Sequence, residues 1–186
     1  MKYFPAFIKL DNKKTVIIGG GHIAFEKLEK LLQFTTDITV ISKDISNSMQ
    51  ELCAKYQIPF TIKNYEKGDV NGYDIVIIAV DSLELQKDIF KETRSSRILC
   101  NAVDSVDYCD FIFPSFIKEG DLTIAVSTSG ASPAMAKYLR RYIQKILPSN
   151  ISDFLKEMKS LRDSLPKGKE RMKLLDKKVK EFFRLD

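Results

Sequence analysis

The segment Gly19-Gly20-Gly21-His22-Ile23-Ala24 has the residue types and spacing to cradle a pyrophosphate. Its pattern, Gly19-x-Gly21-x-x-Ala24, is the dinucleotide fingerprint with alanine in the third position. Each residue type has a physical reason. Gly19 permits a tight turn, Gly21 lets the backbone approach the phosphates, and the small Ala24 lets a helix pack close to a strand. A helix that starts here offers free N–H groups and a partial positive charge to an anion. His22 and Ile23 sit inside this loop and are expected beside the cofactor. A helix N-terminus disfavours protonated histidine, so His22 reads as neutral, and a pyrophosphate in this position argues against its acting as a base.

The ribose end of the site is open to two cofactors. The second apolar run ends Ile41-Ser42-Lys43-Asp44. Lys43 can reach a 2′-phosphate, as in NADP, and Asp44 can reach a ribose diol, as in NAD. Val80 and Asp81, at the end of a later apolar run, are further cofactor candidates, as is Asn101 within Arg97–Val103, and Asp81 is equally placed to cap the helix that follows. Asp104 lies just past the end of Arg97–Val103, where ligands collect in doubly wound sheets, and reads either as a working carboxylate of the site or as a turn residue or helix cap. Asp107 and Asp110, close by, read as solvated loop carboxylates.

Two scarcities narrow the chemistry. His22 is the one histidine of the 186-residue chain, so metal centres built on two histidines are excluded. Cys53, Cys100 and Cys109 form neither a C-x-x-C pair nor an even disulfide framework. The work must fall to carboxylates, hydroxyls, backbone groups or a cofactor. The net charge of +5 is uneven: residues 1–150 carry +1 and residues 151–186 carry +4. Mixed charge of this kind is usual for solvated helical faces, and the tail has neither the motif nor the interleaved aromatics of a nucleic-acid binder. No apolar run is long enough to span a bilayer, and no secretory signal opens the chain, so a cytoplasmic protein is expected.

The elements that must position these residues alternate. Thr15–Ile18, Asp37–Ser42, Pro59–Lys63, Tyr73–Val80 and Arg97–Val103 read as strands, and Tyr73–Val80 is apolar throughout, as in a strand buried on both faces. Helical periodicity follows the glycine loop and recurs over Ser46–Tyr56 and Leu83–Thr93. This order predicts an α/β protein with a Rossmann-like, doubly wound parallel sheet over 1–113. Phe111–Lys118 and Leu122–Thr128, joined by Glu119-Gly120-Asp121, predict an appended hairpin. Ser132 and Pro133 read as the cap and first residue of a helix over Ala134–Leu147. Two more helices are expected, at about 151–164 and 168–184.

Several stretches together are more specific than a dinucleotide domain. They are Phe4-Pro5-Ala6-Phe7 with Leu10, Gly19–Ala24 with Lys27, Asn101-Ala102-Val103-Asp104 and Cys109-Asp110-Phe111-Ile112-Phe113-Pro114-Ser115. The last is Gly120-Asp121-Leu122-Thr123-Ile124-Ala125-Val126-Ser127-Thr128-Ser129-Gly130-Ala131-Ser132-Pro133, followed by Leu139-Arg140. Over about residues 2–148 the chain resembles the precorrin-2 dehydrogenase / sirohydrochlorin ferrochelatase family, the dehydrogenase module of siroheme synthase. The resemblance implies NAD-dependent oxidation of precorrin-2 to sirohydrochlorin, with Fe²⁺ insertion to siroheme in some members. It implies that Asp104 is the family's catalytic carboxylate. It also implies a homodimer whose contacts are exchanged through about 114–147, a dimerisation region set between the sheet domain and a helical region over 149–186. A fused methyltransferase domain is not expected.

Precorrin-2 is a polycarboxylate. Ser127, Thr128, Ser129, Gly130 and Ser132, leading into a helix with Lys137 and Arg140, form a candidate surface for it. The bland alternatives are that Ser132 is only a cap and that Arg140 serves a dimer salt bridge. A different class of protein also fits the glycine loop: an NAD(H)-sensing regulatory module, which would need no catalytic aspartate and no polyanion site.

Overall fold

The computed structural model describes residues 3–184; residues 1, 2, 185 and 186, at the ends of the expected domains, lie outside them. The described residues as far as Phe113 form one compact unit, and those from Pro114 form another.

The first unit runs β1 (Thr15–Ile18), α1 (His22–Leu31), β2 (Ile38–Ser42), α2 (Asn47–Tyr56), β3 (Phe60–Ile62), β4 (Ile75–Ile78), α3 (Leu83–Ser95) and β5 (Leu99–Ala102). Its five strands are parallel and ordered β3-β2-β1-β4-β5. The chain therefore starts in the middle of the sheet and winds outward both ways, which is the doubly wound arrangement. Side chains alternate between the faces of a strand. Ile17, Ile75 and Ile77 join Ala24, Leu28, Met49 and Cys53 in one buried cluster. Val16, Ile18, Val76 and Ile78 join Ile89, Ile98 and Cys100 in the other. Both faces are covered, so β1 and β4 are uniformly apolar rather than alternating. Each such side chain contributes about 1.5–3 kcal/mol of burial.

The strand expected to begin at Phe111 starts only at Ser115. The preceding residues are held elsewhere. The Asp110 N–H donates to the Cys100 carbonyl at 2.8 Å. Phe111 and Phe113 pack, with ring centroids 5.8 Å apart, against the cluster beneath α1 and α2. An apolar run thus serves the sheet core without pairing as a strand.

The second unit opens with the antiparallel hairpin β6 (Ser115–Glu119) and β7 (Leu122–Val126). Its loop is Gly120-Asp121, with Gly120 at φ 58, a conformation glycine adopts without penalty. The helices α4 (Pro133–Ile146), α5 (Ile151–Ser164) and α6 (Lys169–Phe183) follow. Phe154 of α5 stacks on Phe182 of α6 with centroids 3.9 Å apart, and Lys178 reaches Glu157 at 2.7 Å. Among the described residues, no helix is long and apolar enough to cross a membrane.

Candidate active site

All five strands of a parallel sheet end at one edge. The residues that follow those ends line a cleft of about 1090 Å³. After β1 come Gly19, Gly20, Gly21, His22 and Ile23; after β2, Lys43, Asp44, Ile45 and Ser46; after β3, Lys63, Asn64 and Tyr65. After β4 come Ala79, Val80, Asp81 and Ser82, and after β5, Val103, Asp104 and Ser105.

The glycine loop is built by close approach. Gly19 takes φ 128, and a Cβ there would lie 2.2 Å from the Ala79 carbonyl oxygen. At Gly20 a Cβ would lie 2.3 Å from the Asp44 carbonyl oxygen, and the Gly20 carbonyl accepts from the Ser46 N–H at 3.0 Å. Gly21 faces open space. The α1 N-terminus differs from those of α2, α3 and α4 and, like those of α5 and α6, has no side-chain cap. Ser46, Ser82 and Ser132 each cap their helices by accepting an N–H. Gly21, at the same position of α1, offers no side chain, and the first turn of α1 has no acidic residue. Unsatisfied N–H groups at an uncapped helix start, with clear space over Gly21, suit an anionic pyrophosphate.

The remaining cofactor candidates divide. The Ser42 hydroxyl donates to the Asp44 carbonyl at 2.6 Å, which ties the β2 tip into a turn, and both Lys43 and Asp44 line the cleft. His22 is the first residue of α1, exposed, with Nε2 3.3 Å from Glu26 Oε1. Val80 and Asp81 line the cleft, but the α3 cap is Ser82, not Asp81. Asn101 departs from the expectation. It is buried and absent from the cleft lining, with its amide donating to the Phe111 carbonyl at 2.8 Å. The chain returning along β5 claims it.

Asp104 is exposed to the cleft on a turn at the end of β5, at φ 61. Aspartate is one of the few residues that tolerate this left-handed backbone. The turn is braced from α3: Ser105 hydrogen-bonds Gln86 Oε1, and the buried Gln86 amide donates to the Val80 carbonyl at 2.7 Å. Asp110 is not the solvated loop carboxylate expected. Arg94 grips it through Nη1 at 2.8 Å and Nη2 at 2.5 Å, and the Cys100 N–H donates to it at 2.8 Å. Burial pushes its carboxyl up, but Arg94 and that N–H outweigh burial and hold it below the ordinary value. The cysteines offer no reactive thiolate: burial pushes the Cys100 thiol up to about 12 and also raises Cys53 and Cys109.

The polyanion candidates lie in the second unit. The Thr128 hydroxyl accepts from the Ser132 N–H and donates to the Ser132 carbonyl, both at 3.0 Å, closing a loop with Ser129 at φ 52 and Gly130 at φ 87. The Ser127 hydroxyl accepts from the Ser129 N–H. The Ser132 hydroxyl accepts the Met135 N–H at 3.2 Å, Lys137 is exposed, and Arg140 donates to Gln144 one turn along. Sequence reasoning missed Gly20, Lys63, Asn64, Tyr65, Gln86 and Ser105. The rule that ligands sit beyond strand ends points to all but Gln86.

The sheet order and the glycine loop define a Rossmann-type dinucleotide-binding protein. Residues 6–115 match the family model described as "Putative NAD(P)-binding", and the chain belongs to that family. Residues 119–146 match "Sirohaem biosynthesis protein central". The siroheme synthase of Methylococcus capsulatus is 35% identical over 163 residues, covering 88% of this chain and 34% of the relative. That of Actinobacillus pleuropneumoniae serotype 3 is 32% identical over 151 residues, covering 81% of this chain and 31% of the relative. The chain thus spans about a third of the length of the curated relatives it matches. A solved structure titled "SirC, precorrin-2 dehydrogenase" has the same fold, with TM-score 0.81 at 23% identity over 99% of this chain and 93% of that one.

Proposed function

We propose that this protein oxidises precorrin-2 to sirohydrochlorin with NAD as the hydride acceptor. The observation that carries this reading is the cleft itself, with an uncapped glycine-loop helix and Asp104 both on its lining. The similarity to siroheme synthases supplies the substrate class. In this reading Gly19–Ile23 would hold the pyrophosphate and Asp44 the ribose diol, and Lys43, also on the cleft lining, is the residue that would meet a 2′-phosphate. When bound, the nicotinamide supplies a two-electron acceptor for the hydride that leaves a ring-system carbon. The chain's own part is to position the macrocycle and accept the proton that leaves with it. Asp104 is the base: a carboxylate open to the cleft on a braced turn. Ser127–Ser132, Lys137 and Arg140 would bind substrate carboxylates, and the protein works as a homodimer formed through the region 114–148.

The test is direct. Protein given NAD⁺ and precorrin-2 should form NADH and the sirohydrochlorin spectrum together. Asp104→Ala should lower turnover by about 10²- to 10⁴-fold while its NAD⁺ affinity stays within about twofold. Retained NAD⁺ binding with no turnover of precorrin-2 by the unaltered protein would instead identify an NAD(H) sensor. Undiminished turnover in the variant would remove Asp104 from the role.

A further inference from the structure

We propose that Lys27, one helical turn beyond the cleft-lining Ile23, is an anchor for a carboxylate of the anionic substrate. The inference rests on the tetrapyrrole reading above and adds a residue to it.

Lys27 lies in the second turn of α1, one turn beyond the cleft-lining Ile23 and just outside the lining itself. Its side chain is half-buried. The ammonium sits 4.4 Å from the centroid of the Phe113 ring, a cation–π contact that fixes where the charge is held. Among the described residues, no carboxylate lies within 4.0 Å of it. Lys13 and Lys63, similarly half-buried in the same unit, each grip a carboxylate, Asp74 at 2.8 Å and Asp69 at 2.7 Å.

Taking a charge out of water is costly unless an opposite charge or hydrogen bonds compensate it. Burial, the largest influence, lowers the Lys27 ammonium from its ordinary value, and Lys30 adds to that. Glu26, Cys109 and Asp104 oppose the change, but from beyond ion-pair distance. Packing on Phe113 offsets only part of this cost. A cation held in place, underpaired and within the field of the proposed catalytic carboxylate is a receptor for an incoming anion. A polycarboxylate macrocycle that reaches Asp104 brings such groups with it. Docking one on Lys27 would pair the ammonium and offset the repulsion between substrate carboxylates and Asp104.

The anion could also belong to the cofactor, so the experiment separates the two sources. Lys27→Met keeps the stem over Phe113 and removes the charge, and Lys27→Arg keeps the charge. Sirohydrochlorin and NAD⁺ are titrated separately into the full-length protein and both variants, with thermal unfolding as a check on the fold. The expected result is sirohydrochlorin affinity lowered about 10- to 100-fold in Lys27→Met, within about threefold of the unaltered protein in Lys27→Arg, and NAD⁺ affinity unchanged in both. Equal sirohydrochlorin affinity in Lys27→Met, or a loss confined to NAD⁺, overturns the anchor and leaves the dehydrogenase reading intact. Unaltered protein that binds NAD⁺ but no tetrapyrrole overturns both.

Discussion

The two units are stabilised in different ways. Residues up to Phe113 bury two apolar clusters, one on each face of a parallel sheet, and leave their polar work to turns at one edge. From Pro114 onward, the buried apolar residues are Ile117, Val126, Ala136 and Ile151 alone among the described residues. Met135, Tyr138, Leu139, Tyr142 and Ile146 of α4 are instead exposed, by 58, 65, 41, 63 and 61%. Met135, Tyr138, Tyr142 and Ile146 recur at steps of three, four and four residues, and Leu139 lies four after Met135 and three before Tyr142, which places all five along one helix face. One unit covers both faces of its central strands. The other carries an apolar stripe that water does not suit. The contrast teaches that the amphipathic pattern of a helix specifies a buried face without saying what buries it.

The sharpest way to break the first half of that comparison is in the glycine loop, where fold and ligand place different demands. Gly19→Ala should destabilise the protein by about 3 kcal/mol or more, because φ 128 is a glycine conformation and the new Cβ would lie 2.2 Å from a carbonyl oxygen. Gly21→Ala meets nothing within 4 Å, so its unfolding free energy should change by less than about 0.5 kcal/mol. Its NAD⁺ affinity should still fall about tenfold, because the methyl occupies space that the pyrophosphate needs. Denaturant unfolding and NAD⁺ titration on both variants read the two effects separately. A stable Gly19→Ala would show that the loop relaxes, and a Gly21→Ala with normal affinity would move the pyrophosphate elsewhere.

That division also explains what could be read from residues alone. The alternation of strands and helices was legible because burial on both faces makes β1 and β4 apolar throughout, and the loop was legible because the chemistry of phosphate binding acts within six residues. Long-range claims on a side chain were not. Asp110 is taken by Arg94, sixteen positions away, and by the Cys100 backbone, and nothing local marks that pairing. Asn101 turns inward because the Phe111 carbonyl returns beside it. Gly20 is needed where the Asp44 loop closes over it, a contact between separate turns. Phe111 and Phe113 look like strand residues by type, and the core beneath α1 outbids the hairpin for them.

A smaller effect tests whether the sheet unit depends on that returning segment. Asp110→Ala leaves the Arg94 guanidinium and the Cys100 N–H without their acceptor, at a cost of about 2 kcal/mol once the partial exposure of Arg94 is allowed for. The sign with pH follows from the depressed carboxyl. In the unfolded chain Asp110 titrates near the ordinary value of about 3.9, and in the fold below it. Its contribution is therefore fully present above about pH 4 and is lost as pH falls through the lower, folded value. Urea unfolding at pH 7 should separate the two proteins by that amount, and the gap should narrow as the pH is taken down below about 4. A gap that persists in acid would mean that the loss comes from packing rather than charge.

The second half of the comparison is open to test on α4. If the α4 stripe is covered by a second copy of the chain, Tyr142→Glu places a charge in an apolar interface at two symmetry-related points. Tyrosine is among the side chains that contribute most to interfaces, so dimer dissociation should strengthen about 10- to 100-fold, roughly 1.4 to 2.7 kcal/mol. Tyr142 is 63% exposed in the single chain, so the fold of the protomer should not change. Sedimentation velocity over a concentration series reads the association, and NAD⁺ titration reads the cleft, whose lining residues all precede Pro114. Monomers that bind NAD⁺ normally would confirm that the sheet unit stands alone while the helical unit is completed by its partner. An unaltered protein that sediments as a monomer at every concentration would sink the dimer, and the stripe on α4 would then have to answer to a different partner.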